Sequence, residues 1–200
     1  RIGERVVGSI NLSCGQCREC RACRPSHCLE RQVLGIKGHN GAFAEYLCLP
    51  LTNLHRVPDQ VTDSCAVFAE PLAAALEVPE RVHINPSDRV LIVGAGRLGQ
   101  VIARVVALTG ASRAVVARHA HQRQRLAQAG IASLDEQQVE PASYELVIEA
   151  SGAPSGFQLA RTAVRPRGTL CLKSTYRGAV PVELSALVVD EIQLIGSRCG

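Results

Sequence analysis

The segment VLIVGAGRLGQ, residues 90–100, constrains the fold more than any other stretch of this 200-residue chain. Val90 to Val93 are apolar and mostly β-branched, the composition of a short buried strand. They run directly into Gly94-Ala95-Gly96-Arg97-Leu98-Gly99, and then into an apolar, helix-length stretch that ends at Thr109-Gly110. Glycine-rich hexamers arise by chance, so Gly-x-Gly-x-x-Gly carries weight only because it sits between a strand and a helix. In that setting Gly94 permits the tight turn, Gly96 lets a pyrophosphate approach the backbone, and Gly99 lets helix pack on strand. The helix start, opened by Arg97 and Leu98, offers unpaired N–H groups and a partial positive charge to the phosphates. The competing reading is an ordinary strand–turn–helix whose glycines serve packing alone.

The surrounding pattern extends this unit into a sheet. From Asn85-Pro86-Ser87-Asp88 onward, strand-like runs at 90–93, 114–117, 131–134, 146–149, 169–172 and 192–195 alternate with helical runs at 98–108, 121–129 and 155–164. Such alternation predicts an α/β fold, a Rossmann-type doubly wound parallel sheet with right-handed crossovers. The chain before it has a different texture. Residues 4–10 and 41–50 read as strands, 13–30 as a polar loop rich in Cys and Arg, and 65–78 as a helical run interrupted at Pro71, with Glu70 at the joint. The change of texture near residues 58–62 predicts a partial β-rich domain over 1–59 and a dinucleotide-binding domain over 60–200.

Composition removes several alternatives. No run of about 18 apolar residues occurs, so a membrane span is not expected. A net charge of +4 with aromatics at 3% gives no stacking platform for bases, so nucleic acid is not an expected partner. The absence of methionine, and strand-like sequence at both ends, read as a fragment of a longer protein. Of nine cysteines, five crowd between Cys14 and Cys28. With no secretory signal, that crowding suggests metal in a reducing, cytoplasmic setting sooner than disulfides.

Cys14, Cys17 and Cys20 follow at two-residue gaps, and Cys28 comes after a gap of seven residues. A Cys-x-x-Cys turn presents two thiolates to one zinc, and a returning loop can close the tetrahedron. Full thiolate closure leaves no open position, so such a zinc is structural. A rival reading uses Cys14, Cys17, Cys20 and Cys23 as an iron–sulfur run, although the last gap is short and Arg24 separates Cys23 from Pro25.

The runs GERVVGSINLSCGQCRECRACRPSHC, GAFAEYLCLP, FAEPLAAALE and VLIVGAGRLG together resemble the zinc-dependent medium-chain dehydrogenase/reductase family, of the alcohol, sorbitol and threonine dehydrogenase kind. The resemblance covers nearly the whole chain in order. It implies a GroES-like catalytic domain ahead of the cofactor fold, with Cys14, Cys17, Cys20 and Cys28 in the structural-zinc lobe and Cys23 spare. It also implies a catalytic zinc in the full-length parent, held by a Cys and a Gly-His-Glu segment upstream of Arg1. Only Glu70 matches a position facing or ligating that zinc; equally, it is a carboxylate at the start of a helix. The family is usually dimeric or tetrameric, which implies a homo-oligomer.

Cofactor choice is read at the second strand of the sheet. An NAD site places Asp or Glu about 20 residues after the glycines, to bind the ribose hydroxyls. Here no carboxylate occurs between Asp88 and Asp135, and the strand runs out into Arg118-His119-Ala120-His121-Gln122-Arg123. Arg118 could pair with a 2′-phosphate, supported by Arg123 and His119, so NADP(H) is favoured over NAD(H). Glu149 to Gly152, Lys173 and Ser174 lie at later strand ends, where ligands gather in open sheets. Lys173 and Ser174 are candidates for the nicotinamide pocket. The leading reading is a zinc-dependent dehydrogenase acting on a small alcohol or carbonyl compound, this portion inactive alone. The alternative is a non-catalytic dinucleotide-binding module whose cysteines sense redox state.

Overall fold

The computed structural model describes residues 2–198. Arg1, at the head of the strand-like opening, and Cys199–Gly200 lie outside the described residues. The chain forms two compact units, one running to Ala73 and the other spanning Ala74–Arg198.

The first unit contains β1 (Val6–Gly8), β2 (Asn11–Leu12), the one-turn α1 (Arg18–Arg21), β3 (Gln32–Leu34), β4 (Gly38–His39), β5 (Leu54–Arg56) and α2 (Asp63–Ala66). Strand β1 pairs antiparallel with β5, and β2, β3 and β4 form a second small sheet. With strands this short, side-chain hydrogen bonds brace the unit. The buried amide of Asn53 donates to Ser9 O (3.0 Å), Ser9 Oγ (3.1 Å) and Asn11 O (2.8 Å). Arg5 donates to Asp63, Pro58 O and Val61 O.

The strand expected over residues 41–50 is absent: these residues form bends and irregular chain. Phe43 and Tyr46 stand exposed, and a strand without a pairing neighbour or a face to bury has nothing to hold it. The helical run breaks as expected, into α2 and then α3 (Ala69–Arg81). Pro71 sits in the first turn of α3, where its missing N–H costs no helical bond, and Glu70 precedes it. A second proline, Pro79, lies inside the last turns of the same helix.

The second unit continues with β6 (Arg89–Val93), α4 (Arg97–Ala107), β7 (Ser112–Val116), α5 (Ala120–Gln128), β8 (Ala132–Leu134), β9 (Tyr144–Glu149), α6 (Pro154–Ala163), β10 (Val164–Leu172), α7 (Leu184–Val189) and β11 (Gln193–Gly196). Its six strands lie in the order β11-β10-β9-β6-β7-β8, all parallel. This is the doubly wound arrangement, in which the chain leaves β6 toward one edge and returns to β9 to build toward the other. Both faces of β6 are buried. Val90 and Ile92 pack with Ile102, Val106 and Leu126, while Leu91 and Val93 pack with Phe157 and Ala160. Helices on both sides explain why the strand is continuously apolar rather than alternating.

Candidate functional site

The glycine turn lies at the carboxyl end of β6, where strand order reverses against β9. Open sheets bind ligands at such a reversal because the loops on either side part there. Each of the three glycines meets a different constraint. Gly94 has φ +112°, and a side chain on it would stand 2.8 Å from Ser151 N and 2.9 Å from the Ala150 carbonyl. A Cβ on Gly99 would come within 2.0 Å of Gly94 O, so helix α4 can lie this close to the turn only without one. At Gly96 a Cβ would meet nothing within 4 Å. Packing therefore accounts for Gly94 and Gly99 and leaves Gly96 unexplained, which is the position where phosphates would need a bare backbone. Gly96 is the N-cap of α4, and the first amides of a helix have no partner within it. Gln100 braces the turn by donating to Ala95 O at 3.0 Å.

A cavity of about 250 Å³ opens from this turn, lined by Gly94, Gly96, Arg118, His119, Glu136 and Ser151 among others. Arg97 and Leu98 begin α4 beside it, with Leu98 partly packed against the core. Arg118 follows the end of β7 and lines this cavity. Its Nε donates to Glu136 Oε1 at 2.5 Å and its other end to Ser155 Oγ at 3.2 Å. Arg123 points elsewhere: it donates to Ala117 O, Arg118 O and Asp135 Oδ1, so it supports the loop rather than lining the cavity. Lys173 and Ser174 are absent from the lining. Lys173 Nζ donates to Ser197 Oγ at 3.0 Å and to Arg198 O.

Two acids belong to this region: Glu136, which the sequence did not single out, and Glu149, marked there only as a strand end. Glu136 enters the cavity from the turn after β8. Glu149, fully buried at the end of β9, accepts from Ser151 N (2.7 Å), Ser151 Oγ (2.5 Å), Gly152 N (3.2 Å) and the Tyr176 hydroxyl. Desolvation and the adjacent carboxylate hold the Tyr176 phenol well above the usual tyrosine range. Glu149 thereby fixes the Ser151–Gly152 turn against which Gly94 packs. An acid ending an otherwise apolar strand run was the available signal.

In the first unit, the sulfurs of Cys14, Cys17, Cys20 and Cys28 all lie within 4.8 Å of one another. Three of the separations are 3.5, 3.6 and 3.9 Å. Tetrahedral zinc with bonds of about 2.3 Å sets its sulfurs roughly 3.8 Å apart, so the quartet has the dimensions of a one-metal site. Cys23 is exposed and outside it, contrary to the iron–sulfur alignment, which required that residue. Backbone amides of Cys20 and Leu29 lower the Cys17 thiol to about 6; desolvation and neighbouring thiols raise Cys20 to about 11. Among the described residues this is the one group of three or more such side chains able to hold a metal. Glu70 is exposed and lines a separate cavity of about 640 Å³ with His55, Asn53 and Ser9; among the described residues it belongs to no group of three or more metal-ligating side chains.

Residues 1–59 match the family description "Alcohol dehydrogenase GroES-like domain". An L-threonine 3-dehydrogenase of Francisella philomiragia is 29% identical over 217 aligned residues, covering 98% of this chain and 61% of the relative. Residues 1–59 thus carry a GroES-like domain of the alcohol dehydrogenase kind, and along nearly its whole length the chain is similar to dehydrogenases. Among solved structures, a protein named as a zinc-binding dehydrogenase from Sinorhizobium meliloti 1021, bound to NADP, superposes with TM-score 0.89 at 25% identity. That match covers 99% of this chain and 62% of the other. A protein named as a short chain alcohol dehydrogenase from Escherichia coli CFT073, complexed with NADH, gives TM-score 0.89 at 26% identity, covering 98% and 61%. The chain thus spans about three fifths of the length of these relatives.

Proposed function

We propose that this chain carries the structural-metal lobe and the nucleotide-binding fold of a zinc-dependent alcohol or polyol dehydrogenase, with NADP(H) as the preferred cofactor. The observation that carries the reading is Gly96, bare and unobstructed beside two glycines that packing fully explains. A pyrophosphate seated over it would be met by the first amides of α4 and that helix's positive end. Arg118 would receive the 2′-phosphate, its guanidinium making paired, charge-assisted hydrogen bonds. Glu149 and Ser151 would keep the opposite wall in place. The nicotinamide, when bound, supplies the hydride chemistry; the protein's part is orientation and electrostatics.

Cys14, Cys17, Cys20 and Cys28 would hold zinc as a closed cross-link, replacing the apolar core that the loop lacks. Glu70 would face or ligate the catalytic zinc of the full-length parent, as the family resemblance implies. Family likeness further supports a small alcohol or carbonyl substrate, a homo-oligomer and a cytoplasmic location. The discriminating experiment is a fluorescence titration of the protein with NADPH and NADH, repeated with Arg118→Ala. The expected outcome is binding of both, tighter for NADPH, with the alanine variant weakening NADPH by roughly tenfold and NADH little. Failure of both nucleotides to bind would end this reading.

A further inference from the structure

The Arg118–Glu136 pair contains more than the cofactor reading uses. Glu136 is the first residue of the turn Glu136–Gln138, just after β8, and it lines the same cavity as Arg118, Gly94 and Gly96. Its carboxylate accepts from Arg118 Nε at 2.5 Å, the edge of the guanidinium that a phosphate would also use. The neighbouring acid, Asp135, is engaged differently: it accepts from Arg123 at 3.0 Å and is not part of the cavity lining. Two adjacent carboxylates therefore have distinct positions, one facing the nucleotide cavity and one behind it.

We infer that Glu136 is a specificity-determining residue that occupies Arg118 in place of a 2′-phosphate and thereby restrains the preference for NADP(H). This inference rests on the proposed nucleotide site. Binding of NADPH must displace the carboxylate from the guanidinium and hold two anions close together, whereas NADH can bind with the pair intact. The pair is half-exposed, so its displacement costs little in absolute terms, about the worth of one surface ion pair. That suffices to shift a cofactor ratio severalfold.

The test is a set of NADPH and NADH titrations on the chain as it stands and on three variants. Glu136→Gln is expected to tighten NADPH by roughly fivefold and to change NADH by less than about twofold. Asp135→Asn, which removes the same charge one residue away, is expected to leave the ratio within about twofold of the parent. In an Arg118→Ala background, Glu136→Gln is expected to give no gain. The inference is overturned if Glu136→Gln leaves the ratio unchanged, if Asp135→Asn raises it equally, or if the gain survives loss of Arg118. In each of those cases an intact NADPH response to Arg118→Ala would leave the nucleotide site itself standing. Absence of binding by the parent chain would remove both.

Discussion

Alanine at Gly96 and alanine at Gly99 should fail in opposite ways, although the two positions are three residues apart in one turn. At Gly99 the added Cβ would lie 2.0 Å from Gly94 O and 3.1 Å from Gly94 C, both backbone atoms of the turn itself. Relief requires α4 to move off the strand, a misfit of the kind that costs about 3 kcal/mol when the core cannot adjust. For a chain of this size that is a fall of roughly 9 °C in Tm. At Gly96 the backbone has φ −67° and ψ −175°, ordinary for alanine, with no atom within 4 Å of the new methyl group. The entropy removed from the unfolded chain offsets the weaker N-cap, so Tm should move by no more than about 3 °C. Yet the methyl group would project into the space proposed for the pyrophosphate. A clash worth about 2 kcal/mol would weaken NADPH roughly 30-fold. Thermal melts and fluorescence titration on the two variants measure both quantities. Wild-type affinity in Gly96→Ala would refute the placement of the phosphates, and wild-type stability in Gly99→Ala would refute the packing of the turn.

Other expectations follow from the remaining sites. The purified protein should contain about one zinc per chain, colourless, and a chelator that removes it should loosen residues 14–28 to proteolysis; a visible iron chromophore would favour the sensor reading instead. In the metal-free protein at pH 7, Cys17 should be alkylated well before Cys20. Cys17 is a thiolate above about 6, whereas Cys20 remains a thiol until about 11, and peptide mapping would show the order. Lowering the pH below about 6 protonates Cys17 and should weaken metal binding. Glu149→Ala should cost about 3 kcal/mol in urea unfolding by stranding buried donors of Ser151, Gly152 and Tyr176, whereas Tyr176→Phe should cost about 1 kcal/mol.

The sheet was legible because its central strands are apolar on both faces and helices separate most of the six. All six appear in the parallel order that alternation implies. Strand β10 reaches back to Val164, past the expected start at Thr169, because Pro166, Gly168 and a register shift disguise its first half. Helix α7 went unread: Leu184, Val188 and Val189 are exposed, so no buried stripe marks it. Residues 41–50 misled for the opposite reason, since alternation shows what a strand would look like but not whether a partner is present. The cysteine quartet was readable from spacing, because local turns bring those sulfurs together. Glu136 was not. It lies 18 residues beyond Arg118, on a different strand end, and only the neighbouring of β7 and β8 makes them a pair. Arg123 lies near Arg118 in sequence, which conceals that its guanidinium points toward Asp135.

The most direct test is a crystal structure of the chain soaked with NADP⁺. The pyrophosphate should lie over Gly96 and the first amides of α4, with the 2′-phosphate on Arg118 and Glu136 turned away from the guanidinium. A nucleotide bound elsewhere, or one whose adenosine ribose is held by a carboxylate while Arg118 stays paired with Glu136, would contradict the reading.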